Sequence, residues 1–410
     1  LNGAARAILA SLRPGDRIFL PGSAGEVASL SAALVAGEGP PLAITATYVP
    51  GINASLAGRL PAHSSFANLF ASGNRGSQAD DAMRHLPYSY GGFCAYLAAT
   101  EFEATIAHVA PPDGSGKASL GPAVEFTPIA LRRSRRLIAV VNPNLPDIPG
   151  AERIDISDAD LVVESDEPLG EYDVGAPSPR SDCIARNVAD FVDDGAALQI
   201  GLGKVPDALL RKLTDRRGIR LWSGMLSDGA RGLAEAGTLD PDFRHVSCVH
   251  VGTRSYYDWL AGREGLAVRA CNHTHAATAL SAVPGLIAIN SALAVDLFGQ
   301  ANLETLDGRA ISGVGGAADF ARSASLAPDG ISIIALPATS PDRAASRIVP
   351  RLDGPVSLPR HDVEIVVTEF GVADLRGATT VERAERLIGI AAPHHRQELE
   401  TAWREIMQAL

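Results

Sequence analysis

Pro14-Gly15-Asp16-Arg17-Ile18-Phe19-Leu20-Pro21-Gly22-Ser23-Ala24 runs into Glu26-Val27-Ala28-Ser29-Leu30, and the second half of the chain repeats the pattern. There Asp194-Gly195-Ala196-Ala197-Leu198-Gln199-Ile200-Gly201-Leu202-Gly203-Lys204 runs into Pro206-Asp207-Ala208-Leu209-Leu210. One constant offset puts Gly15 on Gly195, Ile18 on Leu198, Leu20 on Ile200 and Leu30 on Leu210. Each copy reads as a glycine turn, a short apolar strand, a Gly-rich loop and a helix. A second echo follows in the same order: Gly121-Pro122-Ala123-Val124-Glu125-Phe126 against Gly315-Gly316-Ala317-Ala318-Asp319-Phe320, with Ser119 and Ser312 just upstream. Two long units in matching order describe two related α/β domains rather than a solenoid of many short repeats.

Short apolar runs bounded by Gly, Pro or Asp extend this reading, as buried parallel strands do. They predict strands at Arg17–Leu20, Ala43–Thr47, Thr105–Val109 and Leu137–Val141, then at Ala197–Ile200, Leu286–Asn290, Ile331–Ala335 and Val363–Thr368. Helical patterns such as Ser29–Leu34 and Ala208–Leu213 lie between them, and the alternation predicts an α/β fold. Thr379-Thr380-Val381-Glu382 has capping-box spacing before a Glu/Arg-rich helix. Ser165–Arg180, with three prolines and several acids, is the expected linker between an N-terminal domain at 1–170 and a C-terminal domain at 180–410.

The 410 residues are 46% hydrophobic but only 5% aromatic, so small side chains must do much of the packing. The net charge of -11 argues against nucleic acid, which demands clustered cations. The densest basic run, Leu131–Arg136, reads as an exposed helix face. No apolar run approaches the ~20 residues of a bilayer span, and the N-terminus lacks a secretory leader pattern. A cytoplasmic protein with no membrane partner is expected. Cys94, Cys183, Cys248 and Cys271 form no Cys-x-x-Cys pair, so neither a disulfide scaffold nor a zinc ribbon is predicted.

Two glycine loops are candidate ligand cradles. Gly201-Leu202-Gly203-Lys204 lacks the third glycine of a dinucleotide fingerprint and the Gly-Lys-Ser/Thr of a P-loop, so a structural turn is the competing reading. Ser312-Gly313-Val314-Gly315-Gly316 places three glycines in four residues, at high backbone entropy. A ligand-facing turn or oxyanion pocket accounts for that, and so does a plain hairpin.

Several longer segments resemble signatures of the acetyl-CoA hydrolase/transferase family, of class I CoA-transferase type and 4-hydroxybutyrate CoA-transferase-like. They are Ile289–Asn302, Ser312–Phe320, Ser346–Pro350 and Val367–Gly377, with Pro111-Pro112-Asp113, Gly116 and Val141–Pro146 in the first half. The resemblance is collinear over nearly the whole chain. It implies two related α/β domains with the active site between them and coenzyme A or acyl-CoA as substrate. A small carboxylate acceptor, a homo-oligomer, no metal and no tightly bound cofactor are also implied. In such enzymes a glutamate attacks the thioester and forms an anhydride, which the CoA thiolate then opens. The resemblance implies binding or oxyanion roles for Gly201, Leu202, Gly203, Gly313, Val314, Gly315, Gly316, Ala317, Asp319, Phe320, Asn290, Gln300 and Asn302.

Two positions depart from the family pattern. Gly224, within Trp222-Ser223-Gly224-Met225-Leu226-Ser227-Asp228-Gly229, stands where the family has its nucleophilic glutamate. Ala317 stands where it has Gln. Glycine forms no anhydride, so altered chemistry is expected: hydrolysis of a CoA thioester, or C–C hydrolysis of a CoA-linked substrate, with Gly224 leaving room for water or acyl group. The alternative is a non-catalytic CoA-binding protein. Asp228, Glu125 and Glu369 are candidate replacement carboxylates. A group of His245, Cys248, His250, Cys271, His273 and His275 contains candidate bases; Cys271-x-His273-x-His275 would share one face if extended.

Overall fold

The computed structural model describes residues 3–53, 60–71 and 83–409. Its first sheet contains β1 (Arg17–Leu20), β2 (Ala43–Ala46), β3 (Ser65–Asn68), β4 (Met83–His85), β5 (Ala104–Val109), β6 (Leu137–Val141) and β7 (Leu161–Glu164). The order across the sheet is β4-β3-β2-β1-β5-β6-β7, all parallel. The second contains β8 (Ala197–Ile200), β9 (Arg220–Leu221), β10 (Leu286–Asn290), β11 (Ile331–Ala335), β12 (Ile365–Thr368) and β13 (Gly371–Asp374). Its order is β9-β8-β10-β11-β12-β13, parallel except for the antiparallel last strand.

The echo in sequence is an echo in topology. β1 lies between β2 and β5, and β8 lies between β9 and β10. Each is the point where the winding reverses, the usual ligand position in open α/β sheets. Backbone conformation repeats as well. Gly15 and Gly195 have φ of 87° and 76°, and Gly121 and Gly315 have 57° and 59°. Ser23 and Gly203, related by the same offset, both have positive φ but differ in value, 50° and 123°.

Predicted strands and helices appear with end shifts of a few residues. β12 starts at Ile365 rather than Val363 because a turn closed by Asp362 N–H to Pro359 O precedes it. The helix expected over Ala208–Leu213 spans Lys204–Lys212. Thr379 and Glu382 form the reciprocal capping box. The basic run differs from expectation: its helix ends at Leu131, and Arg133 and Arg135 lie beyond it, 3.6 Å from Glu101 and Glu103. Pro128 at the helix start and bonds from Arg133 N–H and Ser134 N–H back to Ala130 and Leu131 tighten this short turn into a loop.

One apolar layer of the first sheet packs Ile8, Leu30, Ile44 and Ile106. The opposite layer, around Phe93 and Phe126, also takes in Cys248, Val249, Tyr256, Leu260 and Leu266 from the later part of the chain. In the second sheet Ile184, Leu209, Ile289 and Ile333 fill one side, while Leu280, Phe320 and Ala324 help to fill the other. Among the described residues no helix is long and apolar enough to cross a membrane.

Candidate active site

In the first half Ser23 and Glu125 meet in the interior, both buried. Ser23 Oγ donates to Glu125 Oε1 over 2.8 Å, and both residues hold positive φ, 50° and 39°. Such conformations cost roughly 1–3 kcal/mol each and persist where the surroundings enforce them. Burial pushes the Glu125 carboxyl up to about 7, against the opposing bonds from Ser23 and Thr47. Its backbone carbonyl accepts Cys271 N–H at 2.8 Å.

In the second half the loop Gly201–Gly203 leaves β8 and leads into the helix Lys204–Lys212. A Cβ on Gly201 would meet nothing within 4 Å. The N–H groups of Leu202 and Gly203 have no protein acceptor among the described residues, so this turn presents free donors. Beside it, Gln199 and Asn290 exchange amide bonds of 3.3 and 3.1 Å across β8 and β10. Asn290 is thereby fixed in place at a strand end.

The loop Gly313–Gly316 packs against the first half. Ala71 N–H reaches Ser312 O at 3.3 Å and Tyr90 N–H reaches Gly315 O at 3.1 Å. Asp319, on the following helix Ala317–Leu326, accepts from Ser89 Oγ at 3.0 Å and Gly91 N at 3.2 Å. Ser89 is itself the N-cap of the helix Tyr90–Ala98. Burial raises the Asp319 pKa against these bonds. Ala317 and Phe320 face inward, and Val314 is half-buried. Asn302 lies on a small three-stranded sheet, and Gln300 immediately precedes its strand Ala301–Asn302. Gln300 Nε2 donates to Asp296 at 2.8 Å, while Asn302 binds both Thr305 O and Oγ1. Their side chains build local turns.

Gly224 is buried, and its carbonyl accepts Cys248 N–H at 3.0 Å, Val249 N–H at 3.1 Å and the Cys248 thiol at 3.1 Å. The expectation of room for water or acyl group beside it meets a different arrangement. A Cβ there would lie 3.1 Å from His275 Nε2 and 3.5 Å from Phe320 Cε2. An imidazole and a phenyl ring therefore already crowd that side. The His275 ring packs 4.6 Å from Tyr90 and 4.7 Å from Phe320, with Nδ1 2.8 Å from Thr274 Oγ1. Burial drives its pKa down to about 3, so the ring is neutral.

Residues 271–275 are not extended. Cys271–Thr274 is one helical turn, which places Cys271 and His275 at i and i+4 on one side. His273 leaves the group and stacks on Trp222 at 5.7 Å. The Cys248 thiol, Cys271 thiol and a His275 ring nitrogen all lie within 4.8 Å of one another. The extended geometry that would set Cys271, His273 and His275 on one face is not adopted; periodicity alone does not tell a helical turn from a strand.

The other candidates have other partners. Asp228 receives Thr253 N–H at 3.0 Å and Thr253 Oγ1 at 2.6 Å. Glu369 pairs with Arg180 at 3.2 Å and accepts Ala338 N–H at 2.8 Å. His245 Nδ1 accepts Leu221 N–H, and His250 sits between Ser247 and Tyr256.

Doubly wound halves with glycine loops at matching strand ends, brought together through Ser89, Gly315 and Asp319, define a CoA-transferase-type architecture. Residues 252–403 match the acetyl-CoA hydrolase/transferase C-terminal domain. The 4-hydroxybutyrate coenzyme A transferase of Clostridium kluyveri is 35% identical over 312 residues, 74% of this chain and 72% of that protein. The acetyl-CoA hydrolase of Kluyveromyces lactis is 28% identical, over 65% of this chain and 59% of its own. RipA of Yersinia pestis superposes with a TM-score of 0.89 at 28% identity, covering 98% of this chain and 96% of that one. A 4-hydroxybutyrate CoA-transferase of Porphyromonas gingivalis gives 0.81 at 27%, covering 99% and 97%. The chain belongs to the acetyl-CoA hydrolase/transferase family, whose members carry out acyl-CoA transfer or hydrolysis.

Proposed function

We propose that this protein hydrolyses an acyl-CoA thioester and does not pass CoA to a carboxylate through an enzyme-bound anhydride. The observation that carries the reading is position 224: no carboxylate stands there, and an imidazole adjoins it with two thiols within 4.8 Å of that ring, while the glycine loops remain. Anhydride formation needs a carboxylate nucleophile. Thioester hydrolysis needs a water and donors for the developing oxyanion, and the free N–H groups of Leu202 and Gly203 are of the right kind. On this reading residues 1–170 and 180–410 form the two domains, and CoA lies along the second, near Ala317, Asp319 and Phe320.

A binding protein without turnover is the second reading, favoured by the same crowding of Gly224 by His275 and Phe320. The test offers a panel of acyl-CoA esters with and without added carboxylates, following free thiol and CoA ester masses. Hydrolysis predicts CoA release at a rate indifferent to the carboxylate. New CoA esters of the added acid would overturn the proposal. Saturable acyl-CoA binding with no release would establish the second reading.

A further inference from the structure

We propose that Cys248, Cys271 and His275 form a binding site for a borderline-soft divalent cation of the zinc(II) class, directly beneath Gly224. Their ligand atoms lie within 4.8 Å of one another and all three residues are buried. Two of them stand at i and i+4 on the turn Cys271–Thr274, the spacing by which a helix offers two ligands to one ion. The third comes from a separate segment, between the strands His245–Ser247 and Val249–His250.

Backbone bonds hold the set in place without an ion. Cys248 O accepts Val124 N–H and Glu125 N–H at 3.2 Å each, and Cys271 N–H donates to Glu125 O at 2.8 Å. Thr274 Oγ1 engages His275 Nδ1 at 2.8 Å, the kind of outer contact that fixes a ligating imidazole and leaves Nε2 for the metal. Nε2 is also the ring atom that faces position 224.

The exchange of partners is balanced. Binding releases two thiol protons to solvent, two thiolates and one imidazole lone pair enter the metal's shell, and no electron moves. Losing the Cys248 S–H bond leaves Gly224 O still paired with two N–H donors at 3.0 and 3.1 Å. Two sulfurs and one imidazole select zinc-like ions over magnesium or calcium, which take oxygen ligands. Three protein ligands leave a fourth position for water, the pattern of catalytic zinc. That last step rests on the hydrolytic reading above; the binding of the ion does not.

Protein purified with zinc present is passed through gel filtration and its metal content measured; cobalt(II) is then substituted and the absorption spectrum recorded. One equivalent of zinc and an intense thiolate-to-cobalt charge-transfer band are expected. Both are lost in Cys271→Ser and His275→Gln and kept in Cys94→Ser, a buried thiol outside the set. Wild-type protein that is folded by circular dichroism yet retains neither ion overturns the site, as does a cobalt band unchanged in the variants. Failure to take up either ion once any Cys248–Cys271 disulfide formed in air has been reduced also overturns it. Metal bound without CoA release removes the hydrolytic reading and leaves the site standing; CoA release undiminished after chelation removes the fourth-ligand role alone.

Discussion

His275 Nε2 lies 3.1 Å from the point where a Cβ on Gly224 would sit. The glycine and the imidazole are thus one arrangement, and neither can be changed alone at no cost. Gly316 is bound by the same ring, since a Cβ there would overlap Nε2. Overpacking of a fixed core costs about 1–3 kcal/mol. Gly316→Ala is expected to lose about that much in urea unfolding, and Gly224→Ala less, because its neighbour needs to give only slightly. Equal stability of Gly316→Ala and wild type would show that His275 is free to turn away.

The same contact governs an attempt to reinstall the nucleophile. Gly224→Glu by itself is expected to clash with a fixed His275 ring and fail to transfer CoA to added carboxylates. The double variant Gly224→Glu/His275→Ala relieves the contact and is expected to transfer. Transfer by the single variant, followed by mass spectrometry of CoA esters, would mean that His275 moves aside readily.

Glu125 supplies a pH dependence. Its folded pKa, raised to about 7, exceeds the ordinary 4.5, so the native state holds the proton more tightly than the unfolded chain. The stability from this group is complete below pH 4.5 and is lost as pH rises through 7. The span corresponds to roughly 3 kcal/mol at 1.36 kcal/mol per unit. Glu125→Gln keeps an acceptor for Ser23 and removes the titration. Urea midpoints at pH 5 and pH 8 should differ less in the variant than in wild type; parallel shifts in both would contradict the assignment.

Asp319 and Ser89 act as a coupled pair across the two halves. Ser89→Ala removes both an N-cap, worth about 1 kcal/mol, and a donor to the carboxylate. Asp319→Ala removes the acceptor. Because the bond is shared, the double variant should cost less than the sum of the two, with a coupling of roughly 0.5–3 kcal/mol. Additive losses would show that the bond contributes nothing.

Asp228 accepts two bonds from Thr253, and a structural role is expected of it. Asp228→Asn is expected to lower stability by about 1–3 kcal/mol through its lost charged acceptor while leaving the rate of CoA release at saturation within a few-fold. Abolished release in a protein that remains folded would return Asp228 to the list of catalytic groups.

The repeat made much of the architecture legible. Strands β1, β6, β8, β10 and β11 stand where short apolar runs between Gly, Pro and Asp place them, because buried parallel strands carry no competing signal. The glycine loops were visible for the same reason. What sequence could not supply was the joining of distant segments: Cys248 with Cys271, Asp319 with Ser89, or the packing of His275 under Gly224. Those contacts depend on how the loops beyond each sheet fold back, and no local pattern encodes that. Asn302 and Gln300, conspicuous in sequence, bond to Thr305 and Asp296 within their own turns.

The apolar layer around Phe93 and Phe126 takes in Val249, Tyr256 and Leu260, residues that follow the expected linker. A nick in the exposed stretch near Asp173 and Gly175 would therefore leave two fragments clasped to each other, melting together as one cooperative unit. Expressed without its partner, the amino-terminal fragment would present that greasy face to water and aggregate. Supplied in two pieces, the protein should reassemble only when both are made in the same cell.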